Sequence, residues 1–339
     1  MSIQVDTGPL AGAFRDMTAS YKAFWFLALV EVVRDRALRP SIDSVVPFDE
    51  MADRMLDAAF WPAVTYRLSF GSQDQFHGKL AVHRSDDGNE TKPSLAAERV
   101  KGILRYVPQK FLAPWVAAAR LNGEEASIDE LASVPGRLPY RIGMGGIMID
   151  PVWFEYIAEN LGIMRAFGER ELIRFLQSKN PNIPGVPDKI GPPDRGRGLG
   201  EQKRFWISAH GGADPICFYS KAPLKGRAFS LDHFVPWSFV AHNRIWNLVP
   251  MATSLNSSKG VRLPGEGLID CIGKAHYAVV RSAKDAKRDE FGKWLGEYEA
   301  DLKIDLSSVD RAEFLGAHRD AVLPLMALAR RSGFTGRWP

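Results

Sequence analysis

Between Asn180 and Gly200 proline and glycine crowd together, at Pro181, Pro184, Pro187, Pro192, Pro193, Gly196 and Gly198. Such a stretch cannot carry a helix or a central strand, because proline fixes φ and lacks an N–H. It divides the 339-residue chain into an N-terminal region, residues 1–179, and a second module, joined by a basic connector, residues 180–204. The connector holds Lys189, Arg195, Arg197, Lys203 and Arg204 against Asp188, Asp194 and Glu201. Composition alone makes it a solvated linker; the sharper reading is a strap whose cations meet phosphate.

Helical patterns dominate on both sides. Thr18 to Ser20 supplies N-cap residues, and Tyr21 to Val33 is apolar on nearly every side, as in a buried helix. A second pattern runs from Phe48 to Trp61 and is closed by Pro62. His83 to Pro93 reads as an exposed loop, and helices are predicted over Leu95 to Tyr106 and Phe111 to Leu121, with Pro114 in the first turn of the latter. Pro151 to Phe175 predicts one or two more. The 1–179 region is thus expected to be helical. Beyond the connector, Pro215 to Tyr219 and Ala228 to Phe234 are short strand candidates around a turn at Lys225-Gly226. A short helix is predicted to follow Pro250 and run to about Ser258, with charged helical patterning from Leu268 to Leu302 and a last helix over Arg311 to Arg331. The fold class is mainly α with a small α+β module.

Composition bounds the function. Apolar residues make up 45% and charged residues 25%, enough for a sizeable core. A net charge of +4 permits a nucleic-acid partner without demanding one. Cys217 and Cys271 are the two cysteines, too few for a disulfide framework and not a CxxC pair, so a reducing cytoplasm is expected. Met1 to Phe14 lacks a basic start followed by an apolar run, so no secretory leader is expected. Ala23 to Val33 is interrupted by Glu31 and falls short of the roughly 20 residues that span a bilayer. No membrane partner is expected.

The chemistry concentrates between Cys217 and Pro264. Hydrolysing a phosphodiester takes a base to activate water and a divalent cation to neutralise the phosphate. Magnesium keeps several waters, so one carboxylate and one amide oxygen suffice as protein ligands. Asp232 and His233 sit together at the end of a strand candidate, and Asn256 lies in the helix predicted after Pro250. A hairpin folded on that helix would bring the three together. Other signatures are weak. Gly143-Met144-Gly145-Gly146 lacks the strand-to-helix setting of a dinucleotide loop, and no GxxxxGK[ST] phosphate loop occurs. His242 and His210 read as exposed-loop residues, and Trp237 and Trp246 as core.

Three blocks, Ser230-Leu231-Asp232-His233-Phe234-Val235-Pro236-Trp237, Trp246-Asn247-Leu248-Val249-Pro250 and Asn256-Ser257-Ser258-Lys259, resemble the HNH endonuclease family in order and spacing, including the HNH domain of RNA-guided CRISPR nucleases. The resemblance implies a ββα-metal nuclease module over residues 205–264, followed by a helical C-terminal region, 265–339. It implies His233 as general base, Asp232 and Asn256 as ligands of Mg2+ or Mn2+, and Asn247 as the residue that ties the loop so that His233 points correctly. Lys259 would contact phosphate, with Arg195, Arg197, Lys203 and Arg204 as further phosphate contacts. Many HNH domains bind a structural zinc through two CxxC pairs. Here Cys217-Phe218-Tyr219-Ser220 keeps one cysteine and Met251 to Leu255 has none, so structural zinc is not expected and Phe218, Trp237, Phe239 and Trp246 are expected to hold the module by packing. The implied partner is DNA, with RNA as the alternative; a homodimer would supply a second site, and a protein partner is a further alternative. The implied setting is restriction or phage defence. The rival expectations are a module that binds nucleic acid without cutting and a defence-complex component activated by a partner. Through Ser20 to Trp25 and Asn180 to Gly185, the first 200 residues resemble a helical region that accompanies such nucleases, a likeness that implies no activity.

Overall fold

A computed structural model describes residues 5–38, 45–74, 76, 104–193, 198–211, 213–224, 229–286 and 289–338. These form two compact units. One comprises residues up to Pro181 together with Val186–Pro192, the other Asn182–Gly185 together with the residues from Pro193 onward. The loop expected at His83 to Pro93, and all but the last three residues of the helix expected over Leu95 to Tyr106, lie outside the described residues, as do Arg195 and Arg197.

The first unit is built around α1, Tyr21–Ala37, whose Phe24, Trp25, Phe26, Leu29, Val32 and Val33 are all buried. Its apolar circumference needs cover on every side. Strand β1, Val45–Pro47, leads directly into α2, Phe48–Phe60, and Pro62 falls in the π-helical turn Trp61–Thr65 that ends it. Helix α3, Val107–Leu121, starts earlier than expected and takes Pro108 into its first turn. Pro114 therefore lies inside the helix, where it has no N–H to return to the preceding turn. After α4, Ile128–Ala132, come β2, Tyr140–Gly143, and β3, Gly146–Ile149. They form a hairpin with β1 on the other side of β3, in the order β1-β3-β2. This small sheet adds to the helical region read from sequence, which named no strand there. The Gly143-to-Gly146 segment is its two-residue turn, with Gly145 at φ +120°, a backbone position that favours glycine. Asp150 caps α5, Pro151–Glu159, through the Val152 and Trp153 amides, and the chain breaks at Asn160 before α6, Leu161–Lys179.

The start of the connector is folded, not solvated. Asn180 donates to the carbonyls of Ser69 (2.7 Å) and Leu176 (2.8 Å) and accepts from Ser69 N (2.8 Å). Val186–Lys189 is a 3-10 turn against α6, with Val186 and Lys189 buried.

The second unit opens with α7, Gly200–Ala209. The segment expected as the strand Pro215 to Tyr219 is instead a turn closed by the Ile216–Pro223 bridge, with Lys221 at φ +58°. Strand β4, Ser230–His233, pairs with β5, Leu248–Met251, in antiparallel register, Asp232 opposite Val249 and His233 opposite Leu248. The long connection between them carries α8, Trp237–Val240. Helix α9, Thr253–Lys259, follows β5 and packs on β4, completing a ββα unit. Strand β6, Leu263–Pro264, leads to α10, Ile269–Ala286, α11, Gly292–Leu302, and α12, Arg311–Arg331, before β7, Arg337–Trp338, returns to pair with β6 in parallel. One apolar core runs through both the ββα unit and these helices, from Phe205 and Phe229 through Phe239 and Leu248 to Phe314 and Met326. Phe218, Phe239 and Trp246 are buried in it as expected, whereas Trp237 is half-buried.

Candidate active site

The site grows from the last two residues of β4. Successive strand side chains leave on opposite sides, and the contacts follow that rule. Asp232 turns toward α9 and the turn at Tyr219. Its Oδ1 lies 3.0 Å from Lys259 Nζ, and its Oδ2 accepts a 2.9 Å hydrogen bond from the Tyr219 hydroxyl. Lys259 also donates to the His233 carbonyl at 2.8 Å. Both charged groups are almost fully buried, at 4% and 1% exposure, so the pair is sealed inside the module. Burial pushes the Asp232 carboxyl up, against the Lys259 charge and the hydrogen bonds from Lys259 and Tyr219. Burial likewise pushes the Lys259 amine down, against Asp232. Burial beside the Asp232 carboxylate keeps the Tyr219 phenol protonated, so it remains a donor.

His233 points the other way, to the loop that joins the strands. Its Nε2 lies 2.9 Å from Asn243 Oδ1. The ring is half-buried. Burial pulls the imidazole down to about 4, opposed by hydrogen bonds to Asn243 and to the His242 backbone and reinforced by the nearby Lys259 and His242 charges. At neutral pH the ring is uncharged and retains one basic nitrogen. It shares no hydrogen bond with Asp232 or Asn256 among the described residues.

Asn247 is wholly buried and clamps the chain just past His233. Its Oδ1 accepts from Val235 N at 2.9 Å, its Nδ2 donates to Val235 O at 2.9 Å, and its own carbonyl accepts from Phe234 N at 2.8 Å. Asn256 is half-buried on α9, three residues before Lys259 and so on the same helix face. Its side chain makes no hydrogen bond among the described residues. Of the expected phosphate contacts, Lys259 is committed inward. Lys203 donates to Phe229 O at 2.6 Å with its ammonium 4.4 Å from the Phe229 ring centroid, and Arg204 is exposed. His242 is half-buried against Trp246, not in an exposed loop, whereas His210 is exposed at the end of α7.

Several residues that shape the site escaped sequence reasoning. Tyr219 and Asn243 are one. The other group braces the connecting loop from the C-terminal helices. Glu297 accepts from Ile245 N (3.0 Å), Asp301 from Trp246 Nε1 (2.8 Å), and His318 Nε2 lies 3.0 Å from the Trp246 carbonyl. These partners lie far apart in sequence, so no local spacing announces them. Tyr219 had the nearest signal, since it falls inside the Cys217-to-Pro264 segment.

The donor set suits a hard cation. Asp232 carries a carboxylate, paired with Lys259, and Asn256 an amide oxygen with no hydrogen bond among the described residues, both the kind of oxygen donor such a cation takes. Among the described residues no cluster of three or more His, Cys, Asp or Glu could hold a metal. At the position of the lone zinc-type cysteine, the Cys217 sulfur is buried. Burial pushes this thiol up, but hydrogen bonds from Ser220 and from the backbone at Ala252 and Tyr219 outweigh it and lower it.

Comparison with known proteins adds one positive finding: the family model described as HNH endonuclease matches residues 217–265. No curated protein and no solved structure matches the chain. That match spans the Tyr219 turn, both strands of the hairpin and α9, so the second unit of this chain carries a domain of the HNH endonuclease family.

Proposed function

We propose that the protein is a divalent-metal-dependent endonuclease that hydrolyses DNA phosphodiester bonds, with His233 as general base and Asp232 and Asn256 as metal ligands. The observation that carries this is the end of β4. A carboxylate there faces the α9 helix beside a histidine that burial keeps neutral at physiological pH. A bound Mg2+ or Mn2+ would supply charge neutralisation for the phosphate and the leaving oxygen. Asp232 and Asn256 would hold it through oxygen. His233 would accept a proton from the attacking water, and Asn243 and the His242 backbone would keep the ring oriented. Asn247 would position His233 by holding Val235 and Phe234. Arg204, and Lys203 once released from Phe229, would meet the phosphate backbone, with Arg195 and Arg197 in the same role.

One such site cuts one strand, so the protein would nick DNA unless two copies act together. Among the described residues no helix is long and apolar enough to cross a membrane, and a cytoplasmic role in restriction or phage defence fits this chemistry. The test is plasmid cleavage with Mg2+ or Mn2+, with an RNA substrate in parallel. His233→Ala is expected to cut at least about a hundredfold more slowly, the usual worth of a general base. Unchanged cutting by the variant removes His233 as the base, and cleavage confined to RNA removes DNA as the substrate.

A further inference from the structure

The two oxygens of Asp232 are held by groups of different kind. Tyr219 is a neutral donor on Oδ2; Lys259 is a full cation on Oδ1. A buried carboxylate without a counter-charge is strongly disfavoured. Lys259 meets that need in the metal-free protein, and nothing else in the described contacts of Asp232 is positively charged. A divalent ion held by Asp232 would share its carboxylate with an ammonium that already lies 3.0 Å from Oδ1, and two cations on one buried carboxylate repel each other. That repulsion sets the ammonium and the ion in competition for the carboxylate.

We propose that Lys259 is a built-in counter-cation that occupies the metal's place on Asp232 and is expelled when a divalent ion binds. This rests on the reading of Asp232 as a metal ligand. Tyr219 stays on Oδ2 through the exchange and keeps the carboxylate oriented. The lysine stem pivots at the C-terminal end of α9, next to the exposed Gly260. Its released ammonium is then free to meet a phosphate. The inward contact seen here and a phosphate contact during cleavage are then two positions of one side chain, ordered by metal binding.

Mn2+ binding by calorimetry tests this on the full chain. Lys259→Met keeps the stem and its packing while removing the charge, and is expected to bind Mn2+ at least tenfold more tightly than wild type. Asp232→Asn is expected to lose binding. Equal or weaker affinity in Lys259→Met, with binding lost in Asp232→Asn, overturns the counter-cation while leaving Asp232 as the ligand. Undiminished binding in Asp232→Asn overturns the ligand assignment and the proposal with it, as does absence of Mn2+ binding in all three proteins. Should Lys259→Met fail to fold, wild type alone decides by amine acetylation read by mass spectrometry. Lys259 is expected to be protected without metal and to react at least tenfold faster with saturating Mn2+, and a rate that does not change on Mn2+ binding overturns the exchange.

Discussion

Replacing Asn247 by alanine is expected to destabilise the second unit strongly. The side chain is fully buried and spends both ends of its amide on one residue, Val235, itself fully buried. Alanine leaves the Val235 N–H and C=O without partners and with no room for bulk water. Each such orphaned group costs about 1–3 kcal/mol, so the pair costs about 2–6 kcal/mol. Against a domain stability of about 5–15 kcal/mol, that is a large fraction. The backbone bond from Phe234 N to Asn247 O survives the change, so the loss is local to Val235. Hydrogen exchange, read on peptides spanning residues 230–251 and checked by urea melts, measures it directly. Asn247→Asp should do no better, since it keeps the acceptor for Val235 N, loses the donor to Val235 O and buries a charge. A loss below about 1 kcal/mol, the range of an unremarkable surface change, would refute the reasoning that this amide holds the loop behind His233.

Acid should destabilise the second unit before it affects carboxylates generally. His318 is buried and pulled down to about 4, and its stacked neighbour His276 is also held down by burial. The unfolded chain takes up these protons near 6.5 while the native state refuses them, so stability is intact above about pH 6.5 and falls as pH drops toward 4, by about 3 kcal/mol for His318 alone; urea midpoints at pH 7 and pH 4.5 that coincide would contradict this. A zinc-selective chelator should leave the melting temperature unchanged, because backbone and Ser220 hydrogen bonds rather than cysteine pairs surround the Cys217 sulfur; a drop on chelation would reveal a metal that the turn depends on. In the first unit, Gly146→Ala should destabilise by about 1–3 kcal/mol or more, since a Cβ there would run into the Val46 carbonyl of the adjoining strand; thermal melts matching wild type would mean that the strands can separate at no cost.

Periodicity made the helices legible. Arg311–Arg331 is one helix from end to end, and the pattern after Leu268 resolves into α10 and α11. Strand β5 was not legible. Leu248 to Met251 is buried at every position and includes Pro250, so it shows no alternation and carries a residue that argues against a strand. Proline is tolerated because β5 belongs to a two-stranded ribbon, and the Pro250 carbonyl accepts from Phe218 N at 2.8 Å. The β2–β3 hairpin hid for a related reason: four-residue strands flanked by glycines look like loop.

At the site, residue types and their order carried the chemistry. Asp232 and His233 side by side, Asn256 in a following helix and the lost cysteine of the zinc pair are all visible in the linear chain. What each group faces is not. Lys259 pointing inward to Asp232, the Tyr219 hydroxyl on the same carboxylate, Asn243 on the His233 ring and the brace from Glu297, Asp301 and His318 join residues between 10 and 72 positions apart. Local sequence sets helical period, capping and the chemical inventory, because these depend on neighbours within a turn or two. Burial and pairing depend on which surfaces pack together, and only the folded chain turns a lysine expected to meet phosphate into the buried partner of Asp232.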